Sequence, residues 1–269
     1  MPTERIEFSG HDGTALAARL DLPEGPHVAT ALFAHCFTCG KDIPAARRIA
    51  ARLAGLGIAV LRFDFTGLGH SGGEFENTSF TSNVDDLIAA NGYLAGRGMV
   101  PSLIIGHSLG GAAVLRAAAQ LDTIKAVVTI GAPFDPGHVT HNFSEALSQI
   151  EAEGSAEVDL GGRKFRIGKG FVEDVSSVGL SASIANLKAA LLVLHAPLDT
   201  TSATWPWPVT SNTFAPPPTT PEFTPPPPKP AGSTVKTFLK SRFTTPAKQP
   251  SPAIPLTTSS TSQTFKPGC

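Results

Sequence analysis

The sequence predicts an α/β protein in which helices cover both faces of a mostly parallel sheet. Short apolar runs rich in branched side chains alternate with segments whose apolar residues have helical spacing. Each run is apolar at consecutive positions, as in a strand that is buried on both faces. A third observation limits this fold to residues 1–199, because the composition of the chain changes abruptly after Asp199.

Each element is predicted from its local composition. Alternating polarity around the turn cluster 10–13 indicates an N-terminal hairpin. Consecutive apolar residues indicate the later strands, and helical spacing indicates the helices between them. In chain order the predictions are a hairpin over 5–9 and 15–22, a strand over 28–34, a helix over 44–56, a strand over 58–65, a helix over 83–94, a strand over 102–105, a helix over 112–121, and strands over 126–131 and 189–194.

The strand over 102–105 leads directly into Gly106-His107-Ser108-Leu109-Gly110, and helix-forming residues follow. A Gly-x-Ser-x-Gly motif between a strand and a helix is typical of a nucleophile elbow, a sharp turn that lifts its serine above the sheet. The glycines leave room for a strained backbone, and the helix N-terminus favours developing negative charge. The alternative is a chance motif in a Gly-rich loop. Ser108 is the candidate nucleophile.

Ligands of such sheets bind beyond the carboxyl ends of the parallel strands. The predicted loops at this edge are 35–42, 66–73, 106–110, 132–141 and 195–199. Six of the eight histidines fall in these loops, namely His35, His70, His107, His138, His141 and His195. The functional site is therefore expected at this edge of the sheet.

Two segments stand outside the alternating pattern. Residues 134–185 contain a helical stretch over 143–150 and a predicted hairpin over 158–167, and this insertion is expected to form a small cap over the site. Residues 200–269 hold 16 of the 24 prolines, and Glu222 is their single acidic residue. Such a segment buries too little apolar surface to offset its ordering entropy, so a disordered tail is predicted.

Composition argues against several kinds of partner. The net charge of −1 and the lack of basic clusters argue against nucleic acid. The N-terminal residues show no signal-peptide core, and no apolar run approaches the length of a membrane span. Three cysteines, an odd number, fit a reducing compartment better than a disulfide framework. A cytoplasmic protein without a nucleic-acid or membrane partner is expected.

In their order along residues 1–199, these motifs resemble the α/β-hydrolase fold, and in particular bacterial hydrolases related to serine aminopeptidases. The resemblance rests on 35–37 (His-Cys-Phe), 64–71 (Asp-Phe-Thr-Gly-Leu-Gly-His-Ser), 106–110 and 194–199 (Leu-His-Ala-Pro-Leu-Asp). The block 35–42 is most similar to the hydrolase half of proteins in which this domain precedes an OsmC-like domain, although no OsmC-like portion is visible in the sequence. Compared with that fold, we expect the last part to be missing after Asp199.

The resemblance implies a serine hydrolase that cleaves a small-molecule ester, thioester or amide, with no cofactor or metal ion. Ser108 would be the nucleophile that carries the acyl group, and Asp199 would orient a catalytic histidine. The backbone N–H groups of Phe37 and Leu109 would form the oxyanion hole, in which one donor is worth roughly 3–4 kcal/mol.

Three neighbouring residues are candidates for contact with substrate, namely His35, Cys36 and His107. Cys36 stands where family members usually have glycine, and His107 is expected to point away from the nucleophile and to be structural. Cys36 and Cys39 also form a C-x-x-C motif, which predicts either a redox pair or two small thiols in the loop. A thioredoxin-like pair starts at a helix N-terminus, whereas the helix here begins several residues later. A thiol-redox protein remains an alternative.

The triad histidine is missing from its expected place. The fold orders its triad as Ser, then Asp or Glu, then His, but no histidine follows Asp199. General-base assistance is worth roughly 10²–10⁴-fold in rate, so impaired activity is predicted. Three hypotheses are open: the reading frame changed after Asp199; His35, His70, His138 or His141 replaces the base; or the protein is a catalytically silent relative that binds a small apolar ligand.

Other polar residues have structural interpretations. Asp64 is expected to fix the Gly-rich loop 66–73 by hydrogen bonds at the strand end, and that loop lacks the Lys-Ser/Thr pair of a phosphate-binding loop. Five charged residues are expected to be solvated, namely Asp85, Asp86, Arg163, Lys164 and Arg166.

Overall fold

A computed structural model describes residues 2–196 and the backbone of Thr213–Ala215. Its strands are β1 (Thr3–Ser9), β2 (Ala15–Asp21), β3 (Ala29–Ala34), β4 (Ile58–Phe63), β5 (Leu103–His107), β6 (Ala126–Ile130), β7 (Ser155–Asp159), β8 (Lys164–Gly168), β9 (Ala190–Leu194) and β10 (Thr213–Ala215). Its α-helices are α1 (Pro44–Ala54), α2 (Phe80–Gly96), α3 (Leu109–Ala118), α4 (Leu147–Glu153), α5 (Lys169–Ser177) and α6 (Ser181–Ala185). No helix in this part of the chain is long and apolar enough to cross a membrane.

Eight strands form one sheet in the order β1-β2-β4-β3-β5-β6-β9-β10. The central strands β4, β3, β5, β6 and β9 run parallel to one another. At one edge the hairpin of β1 and β2 pairs antiparallel to β4. The mostly parallel sheet with helices on both faces, predicted from the sequence, is confirmed.

The alternation of side chains along each strand divides the core between two faces of the sheet. On one face, Ile104 of β5 belongs to a large apolar cluster that contains the buried residues of α2 and α3. On the other face, Ile105 packs in a smaller cluster with Phe33 and with Ala46 and Ala50 of α1. Parallel strands that are covered on both sides need apolar residues at consecutive positions, as in the sequence.

Between β6 and β9 the chain leaves the sheet and builds a small cap from α4, the β7–β8 hairpin, α5, α6 and a 3₁₀ segment over Pro136–Ala146. The hairpin turns at Gly161 and Gly162, whose φ angles of 67° and 82° suit the tight turn that the sequence predicts. The helix expected over 143–150 is different. Phe143 is non-helical, with φ −142° and ψ 33°, and α4 begins only at Leu147.

Within the segment predicted to be a disordered tail, three residues form a strand. Thr213–Ala215 form β10, which pairs antiparallel with Leu191 to Val193 of β9. The physical reason is that an edge strand presents unpaired backbone groups to which another extended segment can bond. The other residues predicted to lie in the tail are outside the described part of the chain.

Candidate active site

Ser108 occupies a sharp turn between the end of β5 at His107 and the start of α3 at Leu109. Its backbone has φ 53° and ψ −126°, a conformation that is strained for a residue with a side chain. Its N–H donates to the carbonyl of Ile130 at 2.9 Å, which ties the turn to the neighbouring strand β6. The strand, strained turn and helix predicted around Ser108 are all present.

The glycines of the motif allow three backbone segments to meet under this turn. A Cβ atom on Gly106 would collide with the backbone of Gly110 and Gly111, and one on Gly110 would collide with the carbonyl of His35. A side chain on Gly111 would also meet Ala132 at 2.5 Å. The elbow is therefore packed directly against the loop that follows β3.

That loop begins with a tight turn over residues 36–39, which we call the oxyanion turn. The N–H of Cys39 donates to the carbonyl of Cys36 at 3.1 Å, and Thr38 has φ 57°. Thr38 and Ser108 are the only residues other than glycine with positive φ in the described part of the chain. A positive φ is rare for a β-branched residue, so the turn must be held by its surroundings.

Cys36 and Cys39 are joined by a disulfide bond, with their Cα atoms 5.2 Å apart. Of the two predicted alternatives, this bond argues against a pair of free thiols in the loop and is compatible with a redox pair. The turn itself is the physical reason, because it brings the Cα atoms within the normal range for a disulfide. Helix α1 starts at Pro44, so neither cysteine lies at a helix N-terminus as in a thioredoxin-like pair.

A cavity of about 10 Å³, enough for one water molecule, lies between the oxyanion turn and the elbow. Phe37 and Leu109, whose N–H groups are the predicted oxyanion donors, both line it. Phe65, Leu68 and Phe75 contribute apolar wall. The structure thus brings the two predicted donors to one small cavity beside Ser108.

His35 is a structural residue whose ring nitrogens are both engaged within the protein. It is 1% exposed, its Nδ1 lies 2.8 Å from the carbonyl oxygen of Cys36, and its Nε2 accepts from the N–H of Phe65 at 3.3 Å. Burial lowers the pKa of His35 to about 4. Neither nitrogen is left for a substrate or for the Ser108 hydroxyl, so these contacts argue against both predicted roles.

His107 lies at the end of β5, on the sheet face covered by α1, because it is two residues from Ile105. Its Nδ1 is buried without a hydrogen-bond partner among the described residues, and burial lowers its pKa. These features fit the structural role expected for it. They provide no contact that would support its role in substrate binding.

The other histidines proposed as replacement bases lie in two surroundings. His70 is exposed, with Nδ1 3.3 Å from Nζ of Lys41. His138 and His141, on the cap, contact each other through their Nδ1 atoms at 3.2 Å. Within the described part of the chain, none of these rings makes a hydrogen bond to Ser108. Asp199, the predicted triad acid, lies outside the described residues.

A buried ion pair fixes the loops on either side of the site. Asp64 accepts hydrogen bonds from Nζ and the backbone N–H of Lys41, both at 2.6 Å, and from the N–H of His70 at 2.9 Å. Burial raises the pKa of this carboxyl, but the hydrogen bonds outweigh it and the net pKa is lowered. The predicted role of Asp64 is supported. Sequence reasoning missed Lys41, which looks like an ordinary loop lysine.

Asp86 is buried, so the prediction that it lies on a solvated helix face is wrong. It is 0% exposed and accepts from the N–H and Oγ1 of Thr66 at 3.0 and 2.8 Å. Its other oxygen lies 2.8 Å from Nδ1 of His11. Burial lowers the pKa of His11, but the bond to Asp86 outweighs it and the net pKa is raised. A buried carboxylate therefore anchors the start of the Gly-rich loop at Thr66.

Arg163 is the second residue whose role was missed. It lies at the exposed tip of the cap hairpin, as predicted, but its guanidinium donates to the carbonyl of Thr38 in the oxyanion turn. It also stacks over the ring of Phe165, 5.1 Å from the centroid. The sequence gives no signal for this contact, because 125 residues separate the two partners.

The side chain of Phe37 also binds the turn to the cap. Its ring stacks on Phe171 with centroids 5.2 Å apart and contacts Phe143 at 6.1 Å. The ring of Phe75, from the segment before α2, completes the cluster, with its centroid 5.7 Å from that of Phe37. This packing is the reason that Phe143 leaves helical geometry, since tertiary contacts override local propensity. The described residues contain no cluster of three or more side chains suited to hold a metal ion.

Comparison with known proteins agrees with this architecture. The sequence profile of the serine aminopeptidase family, S33, matches residues 39–166. The crystal structure of the esterase domain from a Rhodothermus marinus protein is 44% identical, covers 75% of this chain and 79% of its own, and superposes with a TM-score of 0.59. A search of curated protein sequences found no match.

More distant structures share the fold. The α/β hydrolase GrgF from a Penicillium species is 18% identical, with 76% of this chain and 83% of its own covered and a TM-score of 0.62. Est1E from Butyrivibrio proteoclasticus, with ferulic acid bound, is 22% identical, with 70% and 77% covered and a TM-score of 0.57. The chain belongs to the α/β hydrolases, and within them it is similar to the serine aminopeptidase family and to the Rhodothermus esterase domain.

Proposed function

We propose that the protein is a serine hydrolase that cleaves a small ester, thioester or amide through an acyl-enzyme on Ser108. The observation that carries this proposal is the backbone of Ser108, at φ 53° between β5 and α3, directly before Leu109, which lines one small cavity together with Phe37. Strain of this kind persists only where the surroundings enforce it, and it concentrates at active sites.

In the proposed reaction, Ser108 Oγ attacks the carbonyl carbon of the substrate and its proton passes to a base. The carbonyl oxygen becomes an oxyanion in the cavity, where the N–H groups of Phe37 and Leu109 donate to it. Collapse of the tetrahedral intermediate expels the alcohol, thiol or amine and leaves an acyl group on Ser108. Water then releases the acid in a second step.

Two observations bear on the substrate. The cavity of about 10 Å³ has room for an oxygen atom and not for an acyl chain, so the rest of the substrate would lie outside it. The relative that is 44% identical is described as an esterase domain, which favours an ester over an amide. The expected association with an OsmC-like domain stays a prediction.

The proposed reaction requires a base that accepts the proton of Ser108. None of the four histidines predicted as substitutes bonds to Ser108 within the described part of the chain, and burial, which lowers the pKa of His35 to about 4, keeps that ring neutral at pH 7. We therefore propose slow turnover for this chain unless residues 197–269 contribute the base. Sequencing of the coding region around codon 199 tests the frame-change hypothesis directly, because an intact frame on both strands removes it.

A fluorophosphonate probe tests the assignment of the nucleophile. We expect covalent labelling of the full 269-residue chain, located at Ser108 by mass spectrometry and abolished in Ser108→Ala. Ser177→Ala on α5 is the matched control and should label normally, because among the described residues its Oγ donates to the carbonyl of Asp174, away from the elbow in sequence. Labelling at another residue would contradict the proposal.

A second candidate function is a catalytically silent protein that binds a small apolar ligand under the cap. The lack of a histidine on Ser108 within the described residues favours it. The same labelling experiment separates the two, since a silent protein leaves Ser108 unmodified while remaining folded by circular dichroism.

A further inference from the structure

We propose that the Cys36–Cys39 disulfide is a redox site that sets hydrolase activity by holding the oxyanion turn in its active geometry. The inference rests on the proposed function of Ser108, which gives the turn a catalytic role. Its physical basis is the place of the disulfide. Only Phe37 and Thr38 lie between its two cysteines. The backbone N–H of Phe37 is a predicted oxyanion donor.

Local preference does not favour the shape of the turn inside this ring, because Thr38 holds φ 57°. Few β-branched residues adopt that conformation without support from neighbouring structure. The local hydrogen bonds, from Cys39 N–H to the Cys36 carbonyl and from Thr38 Oγ1 to the Phe37 carbonyl, are available to many turns. A covalent bond across the same four residues is a much stronger restraint.

The remaining restraints leave the Phe37 amide free to move once the disulfide opens. Arg163 holds the carbonyl of Thr38, which belongs to the peptide group between Thr38 and Cys39, whereas the Phe37 N–H belongs to the one between Cys36 and Phe37. The Phe37 ring is anchored by Phe171 and Phe143, but a peptide group can rotate while its side chain stays in place. A displacement of about 1 Å is enough to weaken a catalytic contact strongly.

A dithiol can reach this bond at Cys36, from the surface of the protein. Cys36 is partly exposed and lines the cavity, whereas Cys39 is buried at 4% exposure. One thiolate of the reagent attacks the sulfur of Cys36 and releases Cys39 as a thiolate, which takes up a proton. The second thiol of the reagent then displaces Cys36 as a thiol. Two electrons and two protons pass to the protein, and the reagent becomes a cyclic disulfide.

The test compares the labelling rate of Ser108 by a fluorophosphonate in the oxidised chain and in the chain reduced with dithiothreitol, after removal of the reagent. Alkylation and mass spectrometry report the state of Cys36 and Cys39. We expect reduction to slow labelling at least tenfold, with an upper limit of about 10²–10³, the cost of losing one oxyanion donor. Reoxidation should restore the rate.

Two variants control for other thiols. Cys269→Ser retains the disulfide and should respond to dithiothreitol as the unmodified chain does. The double variant with Cys36→Ser and Cys39→Ser should label at the slow rate with or without the reductant. Equal or faster labelling of the reduced chain, with the bond shown to be broken, would overturn the inference.

A second measurement does not depend on Ser108 chemistry. Amide hydrogen exchange of a peptide that spans residues 36–39 should become at least tenfold faster on reduction, while a peptide from β5 stays unchanged. If Ser108 labels in neither state, the proposed function fails and the exchange rates decide the inference. Unchanged exchange across the turn would then refute it.

Discussion

The elbow at Ser108 and the oxyanion turn at Thr38 both hold a residue with a side chain at positive φ, but they do so by different means. The elbow is held by β5 before it, α3 after it and glycines that let the backbones touch. The turn has no regular structure on either side of Thr38 and depends on a disulfide and on Arg163. The elbow rests on the strand, helix and glycines around Ser108, whereas the turn combines a disulfide between residues three apart with a contact from Arg163, 125 residues away.

The largest effect should come from the buried anchor that follows the turn. Lys41→Met removes the cation that pairs with Asp64, whose side chain is 2% exposed, and leaves a buried carboxylate with only backbone donors. We expect the free energy of unfolding to fall by about 3–5 kcal/mol, measured by urea denaturation. The control Lys188→Met breaks the exposed pair with Asp122, and we expect a change within about 1 kcal/mol. Similar losses for both variants would contradict this account.

The next effect concerns His35, directly before the turn. The pKa of His35 is about 4 in the folded protein and 6.5 in the unfolded chain, so the unfolded chain takes up the proton first. The contribution of neutral His35 to the free energy of unfolding is complete above pH 6.5 and is lost as the pH falls from 6.5 to 4. At about 1.4 kcal/mol per pH unit, the total loss is roughly 3 kcal/mol.

The measurement is the free energy of unfolding at pH 7 and pH 4.5. His35→Gln should show a smaller loss over this interval than the unmodified chain, and His27→Gln, at an exposed position, should match the unmodified chain. If His35→Gln is too unstable to measure, an NMR titration of the His35 ring in the unmodified chain decides the point. A folded-state pKa near 6.5 would refute the prediction.

A substitution in the elbow tests whether its glycines are needed to hold Ser108 in place. Gly110→Ala places a methyl group against the carbonyl of His35 and the backbone of Ala34. We expect a loss of about 1–3 kcal/mol in unfolding free energy, together with slower labelling of Ser108. The matched control is Gly92→Ala in α2, where a Cβ meets nothing within 4 Å. That variant should gain about 0.5–1 kcal/mol from helix propensity, and thermal unfolding of the pair checks both signs.

The smallest effect should come from the hydrogen bond between Arg163 and the oxyanion turn. Arg163→Ala removes the donor to the Thr38 carbonyl without touching the core. We expect Ser108 labelling to slow by about fivefold to tenfold, which at about 1–1.4 kcal/mol lies within the net value of one hydrogen bond, with little change in melting temperature. Arg163→Lys should recover part of the rate. Lys164→Ala, which breaks an exposed pair with Glu157, is the control and should leave the labelling rate unchanged.

The same contrast explains which features were predictable from sequence. The parallel sheet, the cap hairpin and the strained Ser108 follow from patterns within a few residues, such as branched apolar runs and glycines around a serine. Asp86 was misplaced because its burial depends on Thr66 and His11, 20 and 75 residues away in sequence. The contact of Arg163 with the oxyanion turn and the departure of Phe143 from helical geometry likewise arise from packing between the cap and the sheet.

The most direct test of the central claim is a crystal structure of the chain after reaction with a fluorophosphonate. The account predicts a bond from the phosphorus to Ser108 Oγ, with a phosphonyl oxygen about 2.7–3.1 Å from the backbone nitrogens of both Phe37 and Leu109. An adduct on another residue, or an oxygen that faces away from these two nitrogens, would contradict it.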